Sequence, residues 1–342
     1  MPDRTGKPAR NVLVPGGMGF FGAHLAARFL ATSDAQVTVV DDLIDPGALR
    51  NIEWLKSQAA PGRLSLVRGA SRSMLRLADA ASQADEIYFL AGPGSGSHRS
   101  LDAVSLVLEA ARRSGRTPAL ICASACGSIG DPQSASWYPE GNLAHFAQTE
   151  RLVHDFAGLH HLPAVTLEMD TVTGPRRFDE SSDWVARLEY SILGGRRCRV
   201  VADASEPHDV LHVSDAVQAL LAARAYLGKT AGKRYRVHGG AAHVITVGDM
   251  VQLIERVCHR HAKLDTPWRK GGRALPSAID DPQFSVDTAW MPRRSLEETV
   301  REIAAFWHVH RDAVAASQPL PATSRVRLNE TRRAADVPVK AA

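Results

Sequence analysis

Residues 11–30, NVLVPGGMGFFGAHLAARFL, contain a short apolar strand, a glycine-rich turn and a helix with an apolar face in direct succession. The run Val12–Val14 suits a strand that is buried on both faces of a parallel sheet. Gly16 permits a tight turn, Gly19 lets the backbone approach a phosphate, and Gly22 allows the helix to pack closely on the strand. Phosphates would then lie on the unpaired N–H groups at the start of the helix. The stretch therefore predicts the first βα unit of a dinucleotide-binding fold.

A second apolar strand, Val37–Val40, follows and ends in Asp41 and Asp42. An acid at this strand end accepts hydrogen bonds from the adenosine ribose hydroxyls and repels a 2′-phosphate. For an isolated glycine motif, a structural turn followed by surface acids would be the alternative. Here strand, glycines, helix, second strand and acid occur in order, so we predict NAD rather than NADP.

Composition excludes several classes of protein. The chain has 342 residues, of which 44% are hydrophobic and 23% charged, and its formal net charge is +4. Its arginines are scattered and no basic run is interleaved with aromatic residues, so no nucleic-acid partner is predicted. The four cysteines form no C-x-x-C pair, and no signal segment opens the chain. No apolar run reaches the roughly twenty residues that span a bilayer. We expect a cytoplasmic protein without a membrane partner.

Alternating strands and helices predict an α/β fold, a doubly wound parallel sheet of the Rossmann type. A strand followed by a helix around His208–Tyr226, with Ser214 as the helix N-cap, is expected to return to this sheet. Further helices are expected up to about Leu193, over Val247–His259 and over Ser295–Trp307. The strands are expected at 11–14, 37–41, 64–68, 86–91, 119–123 and 164–169.

The changes in composition also predict a division into domains. We assign 11–175 and 200–228 to an NAD-binding Rossmann domain. Residues 176–199 and 229–312 form a smaller, discontinuous C-terminal substrate domain, and 313–342 a mobile tail rich in Ala, Pro and Arg. His160-His161 and His259-x-His261 lack further ligands at metal spacing, so no metal site is predicted.

Five motifs together carry a family resemblance. They are PGGMGFFG (15–22), VVDDL (39–43), IYFLAGPGSGSH (87–98), ASACGSIGDP (123–132) and WMPRRSLEETVREIAAFW (290–307). In this order they resemble the extended short-chain dehydrogenase/reductases, in particular the nucleotide-sugar epimerases, dehydratases and UDP-glucuronate decarboxylases, over about residues 11–310. The resemblance implies NAD in the large domain and a sugar-like substrate in the cleft. The cofactor-binding residues that we predict are Gly16, Gly19, Phe20, Phe21, Gly22, Asp41, Asp42, Leu90, Ala91, Gly92 and Glu150.

The catalytic positions of that family are changed in this chain. Its mechanism uses a Tyr and a Lys one helical turn apart, and these positions align with Phe146 and Glu150. Its strand-end Ser or Thr aligns with Ala125. Because phenylalanine cannot transfer a proton, a substitute proton donor is needed. The family's diphosphate-binding arginines correspond to His208 and roughly to Phe284 or Ser285.

The remaining polar groups near these positions are the candidate catalytic residues, each with a structural alternative. His98 is either an acid–base group with a suitable unperturbed pKa or simply an exposed loop histidine, and Cys126 is either a nucleophile or a buried apolar side chain. Glu150 either accepts from the cofactor's ribose hydroxyls or faces water on a rotated helix. Ser124 and Tyr138 can each hydrogen-bond a substrate hydroxyl, or Ser124 only caps the strand end.

We therefore expect an NAD-dependent oxidoreductase or epimerase-like enzyme that uses a non-standard proton donor. The lost arginines and the added Glu150 favour a neutral or cationic sugar-like substrate, such as an amino sugar or aminocyclitol. A catalytically silent NAD-binding sensor or scaffold subunit, and a non-redox lyase or cyclase, remain the alternatives. A homodimer is also open, although the stretch after His98, shorter than in the family, alters the helix pair through which its members commonly dimerise.

Overall fold

The computed structural model describes residues 10–43, 47–68, 74–90, 101–125, 140–178, 184–198, 207–264 and 282–310, and the side chains of 125 and 140–146 are not included. The strands are β1 (Asn11–Pro15), β2 (Gln36–Asp41), β3 (Leu64–Arg68), β4 (Glu86–Leu90), β5 (Ala119–Ala125), β6 (Ala164–Met169), β7 (Thr171–Thr173), β8 (Arg197–Cys198), β9 (Pro207–His212), β10 (Arg234–Arg236), β11 (Val244–Thr246) and β12 (Lys263–Leu264). The helices are α1 (Phe20–Thr32), α2 (Ala48–Gln58), α3 (Met74–Gln83), α4 (Leu101–Arg113), α5 (Glu140–His160), α6 (Trp184–Leu193), α7 (Val213–Ala225), α8 (Leu227–Thr230), α9 (Val247–Cys258), α10 (Gln283–Thr288) and α11 (Leu296–Val309).

A seven-stranded parallel sheet forms the centre of the large domain, in the order β10-β6-β5-β4-β1-β2-β3. All six strands expected from the sequence are present within two residues of their expected bounds. Apolar clusters lie on both faces of the sheet, one containing residues of α1 and α7 and the other residues of α3, α4 and α5. The doubly wound α/β fold is confirmed.

Two elements differ from the expectation. Strand β9 does not join the large sheet; it pairs with β7 and β11 in a separate three-stranded sheet. Strand β10, which we had assigned to the smaller domain, pairs with β6 at the edge of the large sheet. A three-residue strand gives too short an apolar pattern for sequence analysis to decide which sheet it extends.

The N-terminus of α7 is capped differently from the prediction. The N-cap is His212, whose Nδ1 accepts from the Ser214 N–H at 3.1 Å, so Ser214 is inside the helix. By contrast α11 begins as expected, with Ser295 as N-cap and Glu298 completing a capping box. Among the described residues, no helix is long and apolar enough to cross a membrane.

A buried network of ion pairs and hydrogen bonds surrounds Glu86, the first residue of β4. Glu86 on β4 is fully buried, and its carboxylate pairs with Arg10 Nη1 at 2.9 Å and with Arg224 Nε at 3.1 Å. The same carboxylate accepts from the Tyr88 hydroxyl at 2.9 Å. Burial, followed by the charge of Glu86, raises the pKa of Tyr88 above its usual range, so the phenol stays a donor. Glu86 thereby joins Arg10, which directly precedes β1, to β4 and α7.

We expect Glu86→Ala to lower the free energy of unfolding by about 3 kcal/mol, because it leaves the buried Tyr88 hydroxyl without its acceptor and removes the partner of two guanidinium groups. Urea denaturation followed by circular dichroism measures this loss. Glu109→Ala is the control, because Glu109 pairs with Arg112 and Arg113 on the surface of α4. Equal losses in the two variants would contradict the structural role of Glu86.

Candidate cofactor and substrate site

The turn that carries the predicted cofactor glycines is held from both sides by polar side chains. Asp41, at the end of β2, accepts from the Met18 N–H at 3.1 Å. Asn51, on α2, donates from Nδ2 to the Met18 carbonyl at 3.0 Å. Gly16 has φ +72° and donates its N–H to the Val40 carbonyl at 2.7 Å. Met18 is therefore fixed through both its N–H and its C=O.

Asn51 was not among the site residues predicted from the sequence, although its position on the apolar face of α2 indicates a buried polar contact. Asn51 lies between Ala48 and Leu55 on the apolar face of α2, and these three residues are the buried ones of that helix. A polar residue on the buried face of an amphipathic helix needs a buried partner. Its partner here is the backbone of the glycine turn.

Asp41 is a buried acid that backbone N–H groups do not saturate. It is 2% exposed, and besides Met18 it accepts from the Leu43 N–H at 2.8 Å and interacts with the Gly19 N–H. Burial raises its pKa to about 6 in spite of these N–H groups. A carboxylate has about four acceptor sites, so three N–H groups leave room for a further donor. Ribose hydroxyls are donors of this kind.

The backbone of α1 packs closely against the glycine turn. A Cβ added to Gly22 would lie 2.3 Å from the Gly17 Cα, and one added to Gly17 would lie 2.9 Å from the Val14 carbonyl oxygen. The helix begins at Phe20 with Gly19 as N-cap, so no side chain caps the first N–H groups. These are the features that a dinucleotide pyrophosphate requires at a helix N-terminus.

The segment after β7 lies against the start of α1. The Arg177 guanidinium lies 4.6 Å from the centre of the Phe20 ring, and its Nη1 donates to the Val172 carbonyl. His24, one turn further along α1, bonds the Pro175 carbonyl through Nε2 at 2.9 Å. Burial lowers the pKa of His24 to about 4, so the ring is neutral at pH 7. Neither arginine of the Arg176-Arg177 pair had been assigned a role from the sequence.

Four of the remaining predicted site residues lie in the described part of the chain. Leu90 ends β4, and Ser124, in β5, is buried. Phe21 and Asp42 flank the glycine turn on α1 and after β2. Ala91, Gly92, His98, Cys126 and Tyr138 lie outside the described residues, as does the side chain of Phe146.

Glu150 has a partner that the sequence did not reveal. Its carboxylate is fully buried and forms an ion pair with Arg234 Nη2 at 2.5 Å. Arg234 also pairs with Glu168 at 3.4 Å, and burial, followed by the charge of Glu150, raises the pKa of Glu168. Glu150 therefore does not face water, and its charge is balanced from the sheet edge. The negative charge that the sequence adds at Glu150 is therefore paired with a guanidinium, which Glu150 shares with Glu168.

The two positions where the family has diphosphate-binding arginines hold Phe284, a core side chain, and His208, an imidazole that faces an acid. Phe284 is 2% exposed, and its ring packs edge-to-face against Tyr235 and at a tilt against Trp290. His208 is buried, stacks on Trp184, and has its Nδ1 3.7 Å from Asp170 Oδ2. Asp170 directly follows β6, at the carboxyl edge where ligands of open α/β sheets bind. An acid and an imidazole therefore stand where the sequence comparison had led us to look for a cation.

Comparison with known families agrees with this architecture. The model of the NAD dependent epimerase/dehydratase family matches residues 12–237, well over half of the chain. The chain therefore belongs to this family. Its glycine turn, its Asp41 and the carboxyl edge of its large sheet all fall within the matched region.

Individual relatives are distant. UDP-glucuronic acid decarboxylase 1 of Xenopus tropicalis is 22% identical over 359 residues, which cover 95% of this chain and 79% of that protein. The crystal structure of UDP-glucuronic acid 4-epimerase from Bacillus cereus in complex with NAD has a TM-score of 0.73 at 20% identity, covering 90% of this chain and 99% of that one. The Bordetella bronchiseptica enzyme WbmF in complex with NADH has a TM-score of 0.70 at 18% identity, covering 90% and 94%. At these identities the structural likeness establishes the fold.

We expect Gly22→Ala to destabilise the protein and to abolish NADH binding, because the new methyl group would collide with the backbone of the glycine turn. Gly158→Ala is the matched control, since nothing lies within 4 Å of a Cβ at that exposed position of α5. Replacing glycine inside a helix should stabilise by about 0.5–1 kcal/mol. Thermal unfolding and NADH fluorescence titration measure both effects, and NADH binding by Gly22→Ala with wild-type affinity would contradict the assignment.

Glu150→Lys restores the residue type of the family and should nevertheless lower the free energy of unfolding by about 3–5 kcal/mol, because it buries an ammonium beside Arg234. The double variant Glu150→Lys/Arg234→Glu should recover part of this loss. Urea denaturation of wild type, both single variants and the double variant gives the coupling energy. A stable Glu150→Lys protein with no coupling would mean that residue 150 faces the cleft.

Proposed function

We propose that this member of the epimerase/dehydratase family is an enzyme that binds NAD at the glycine turn and acts on a sugar-like substrate by hydride transfer. The observation that carries the proposal is the turn itself, held by Asp41 and Asn51 with a buried acid still able to accept hydroxyl donors. When bound, NAD supplies a reversible hydride acceptor. The chain's own residues must bind the substrate, orient it and move its proton.

The cofactor should be NAD rather than NADP. The 2′-phosphate of NADP would meet the Asp41 carboxylate in a buried position, where like charges repel strongly. The burial of Asp41 adds to this cost, because no solvent screens the pair. Asp41→Ala should therefore weaken NADH binding and reduce the preference of NADH over NADPH.

The proton donor has to be sought away from the family's Tyr-Lys positions. Glu150 is engaged with Arg234, and phenylalanine at 146 cannot titrate. This leaves Tyr138, His98 and Cys126 as candidate proton donors, and Ser124 as the described strand-end hydroxyl that can bind a substrate oxygen. An imidazole such as that of His98 exchanges protons near neutral pH at its ordinary pKa, whereas a phenol or a thiol needs a lowered pKa.

The substrate should be neutral or cationic, in the class of amino sugars and aminocyclitols. Glu150 does not contribute to this preference, because Arg234 pairs with it. The preference depends on Asp170, whose side chain is 27% exposed at the carboxyl edge of β6. It depends also on His208 and Phe284, which stand where the family has arginines. Without those two cations, none of the described residues at these positions offsets the hydration that a nucleoside diphosphate would lose.

A catalytically silent NAD-binding sensor or scaffold is the second candidate. The observation that favours it is the double replacement at Phe146 and Glu150, which removes the family's proton donor and its lysine together. A non-redox lyase or cyclase would use the same pocket for acid–base work. Both differ from the favoured enzyme in one respect, since neither passes a hydride through NAD.

We would test the proposal with a substrate panel in the presence of NAD, comparing free amino sugars and aminocyclitols with UDP-glucose and UDP-glucuronate. Absorbance at the NADH band reports turnover, and calorimetry reports binding. We expect an amine-bearing ligand to bind and to lose at least tenfold in affinity in Asp170→Asn. Asp79→Asn, which removes an exposed carboxylate of α3, should leave the affinity unchanged.

The outcomes separate the candidates. Tight binding or turnover of UDP-sugars alone would refute the substrate class. Tight NAD binding without conversion of any ligand would favour the sensor or scaffold. Product formation that continues in protein stripped of NAD would favour the lyase or cyclase.

A further inference from the structure

A cavity of about 760 Å³ opens in the smaller domain, where the C-terminal ends of α6, α9 and α11 meet. Its volume lies within the range of small-molecule pockets. None of its described lining residues belongs to the glycine turn or to the carboxyl edge of the large sheet. The cavity is therefore separate from the cofactor and substrate site discussed above.

The interior of the cavity is aromatic. Tyr190 of α6 and Trp307 of α11 line it, and their ring centres are 6.0 Å apart. Trp307 is 6% exposed, and its indole Nε1 has no hydrogen-bond partner among the described residues. A buried N–H without an acceptor is costly, and a ligand that supplies an acceptor removes this cost.

The rim of the cavity is cationic. Arg196 follows α6, Arg260 follows α9, and His308 lies in the last turn of α11. Over the described part of the chain, neither arginine forms an ion pair with a carboxylate, and no acid lines the cavity. The nearby Glu189 is fully buried and acts on the lining residue Cys258, whose pKa rises to about 11 through burial and then through that charge.

The Arg196 guanidinium is not needed to satisfy the carbonyl groups at the C-terminal end of α6. Helix C-termini attract cations, which is one reason for arginine at these positions. The last carbonyls of α6 nevertheless already accept from the N–H groups of Gly194, Gly195 and Arg196. The Arg196 guanidinium instead stacks on Tyr190, with its carbon 4.4 Å from the ring centre. A stacked guanidinium keeps its in-plane N–H groups available for a carboxylate.

We propose that this cavity binds a small aromatic carboxylate, with its ring against Tyr190 and Trp307 and its carboxylate at Arg196 and Arg260. The aromatic walls, and the indole N–H and two guanidinium groups that have no acceptor or carboxylate partner among the described residues, each favour one part of such a molecule. The chain's own C-terminal segment is a poor occupant, because residues 311–342 contain six Lys or Arg and only three Asp or Glu. The proposal does not depend on the function of the cofactor site.

The test uses the full-length protein with 2-naphthoate and its uncharged analogue 2-naphthamide, titrated by calorimetry at low and high salt. We expect saturable binding of 2-naphthoate that weakens with salt and is at least tenfold tighter than that of 2-naphthamide. Arg196→Gln/Arg260→Gln should weaken the binding at least tenfold. Arg256→Gln, which removes an exposed cation from the same helix as the cavity residue Cys258, should change it less than twofold.

A second readout locates the ligand. In protein labelled with ¹⁵N-tryptophan, the indole N–H signal of Trp307, assigned by Trp307→Phe, should shift on addition of 2-naphthoate and stay in place with the double arginine variant. Thermal unfolding of each variant confirms that it is folded. Equal affinity for the two probes, unchanged binding by the double variant, or no binding at millimolar concentration would each overturn the proposal.

Discussion

The close contact between Gly22 and Gly17 is the constraint on which the large domain depends. A separation that leaves no room for a methyl group brings α1 directly over β1, and the turn between them must then close in four residues. Backbone packed this tightly has few ways to satisfy its polar groups. Asp41 and Asn51 solve this problem by reaching the N–H and the carbonyl of Met18 from two other elements. Strand β2 and helix α2 are thereby tied to the same turn.

The same arrangement explains why the cofactor region is intact while the family's catalytic positions are not. The turn, Asp41 and Asn51 support one another, so losing one of them would damage the fold as well as binding. Position 150 is under a different constraint. There a buried carboxylate has a guanidinium partner on the edge strand of the sheet, which makes the acid compatible with folding. A lysine at 150 would require Arg234 to change too, so the two residues have to be considered together.

The sequence predicted those parts of the structure that depend on local patterns. The six strands, the glycine turn and the start of α11 at Ser295 follow from residues that are adjacent in the chain. The pairing of Glu150 with Arg234 and the cap at His212 could not be placed in this way, nor could the backbone partner of Asn51. Arg234 is 84 positions from Glu150, and its strand has only three residues, so no periodic pattern links them. His212 follows five strand residues, so the sequence pattern indicates only that the strand continues there. The cap depends on the His212 ring, which accepts from the Ser214 N–H.

Aromatic and guanidinium contacts connect the cofactor region with the smaller domain. The Arg176 guanidinium lies between Trp54 of α2, at 4.2 Å, and Phe306 of α11, at 5.6 Å. Arg176 adopts φ +69°, which costs a non-glycine residue free energy, so the contacts that it makes must compensate for that conformation. Phe306 in turn contacts Trp307, the aromatic wall of the second cavity. A series of guanidinium and ring contacts therefore runs from the helix that holds the glycine turn, through Arg176, to the cavity at the end of α11.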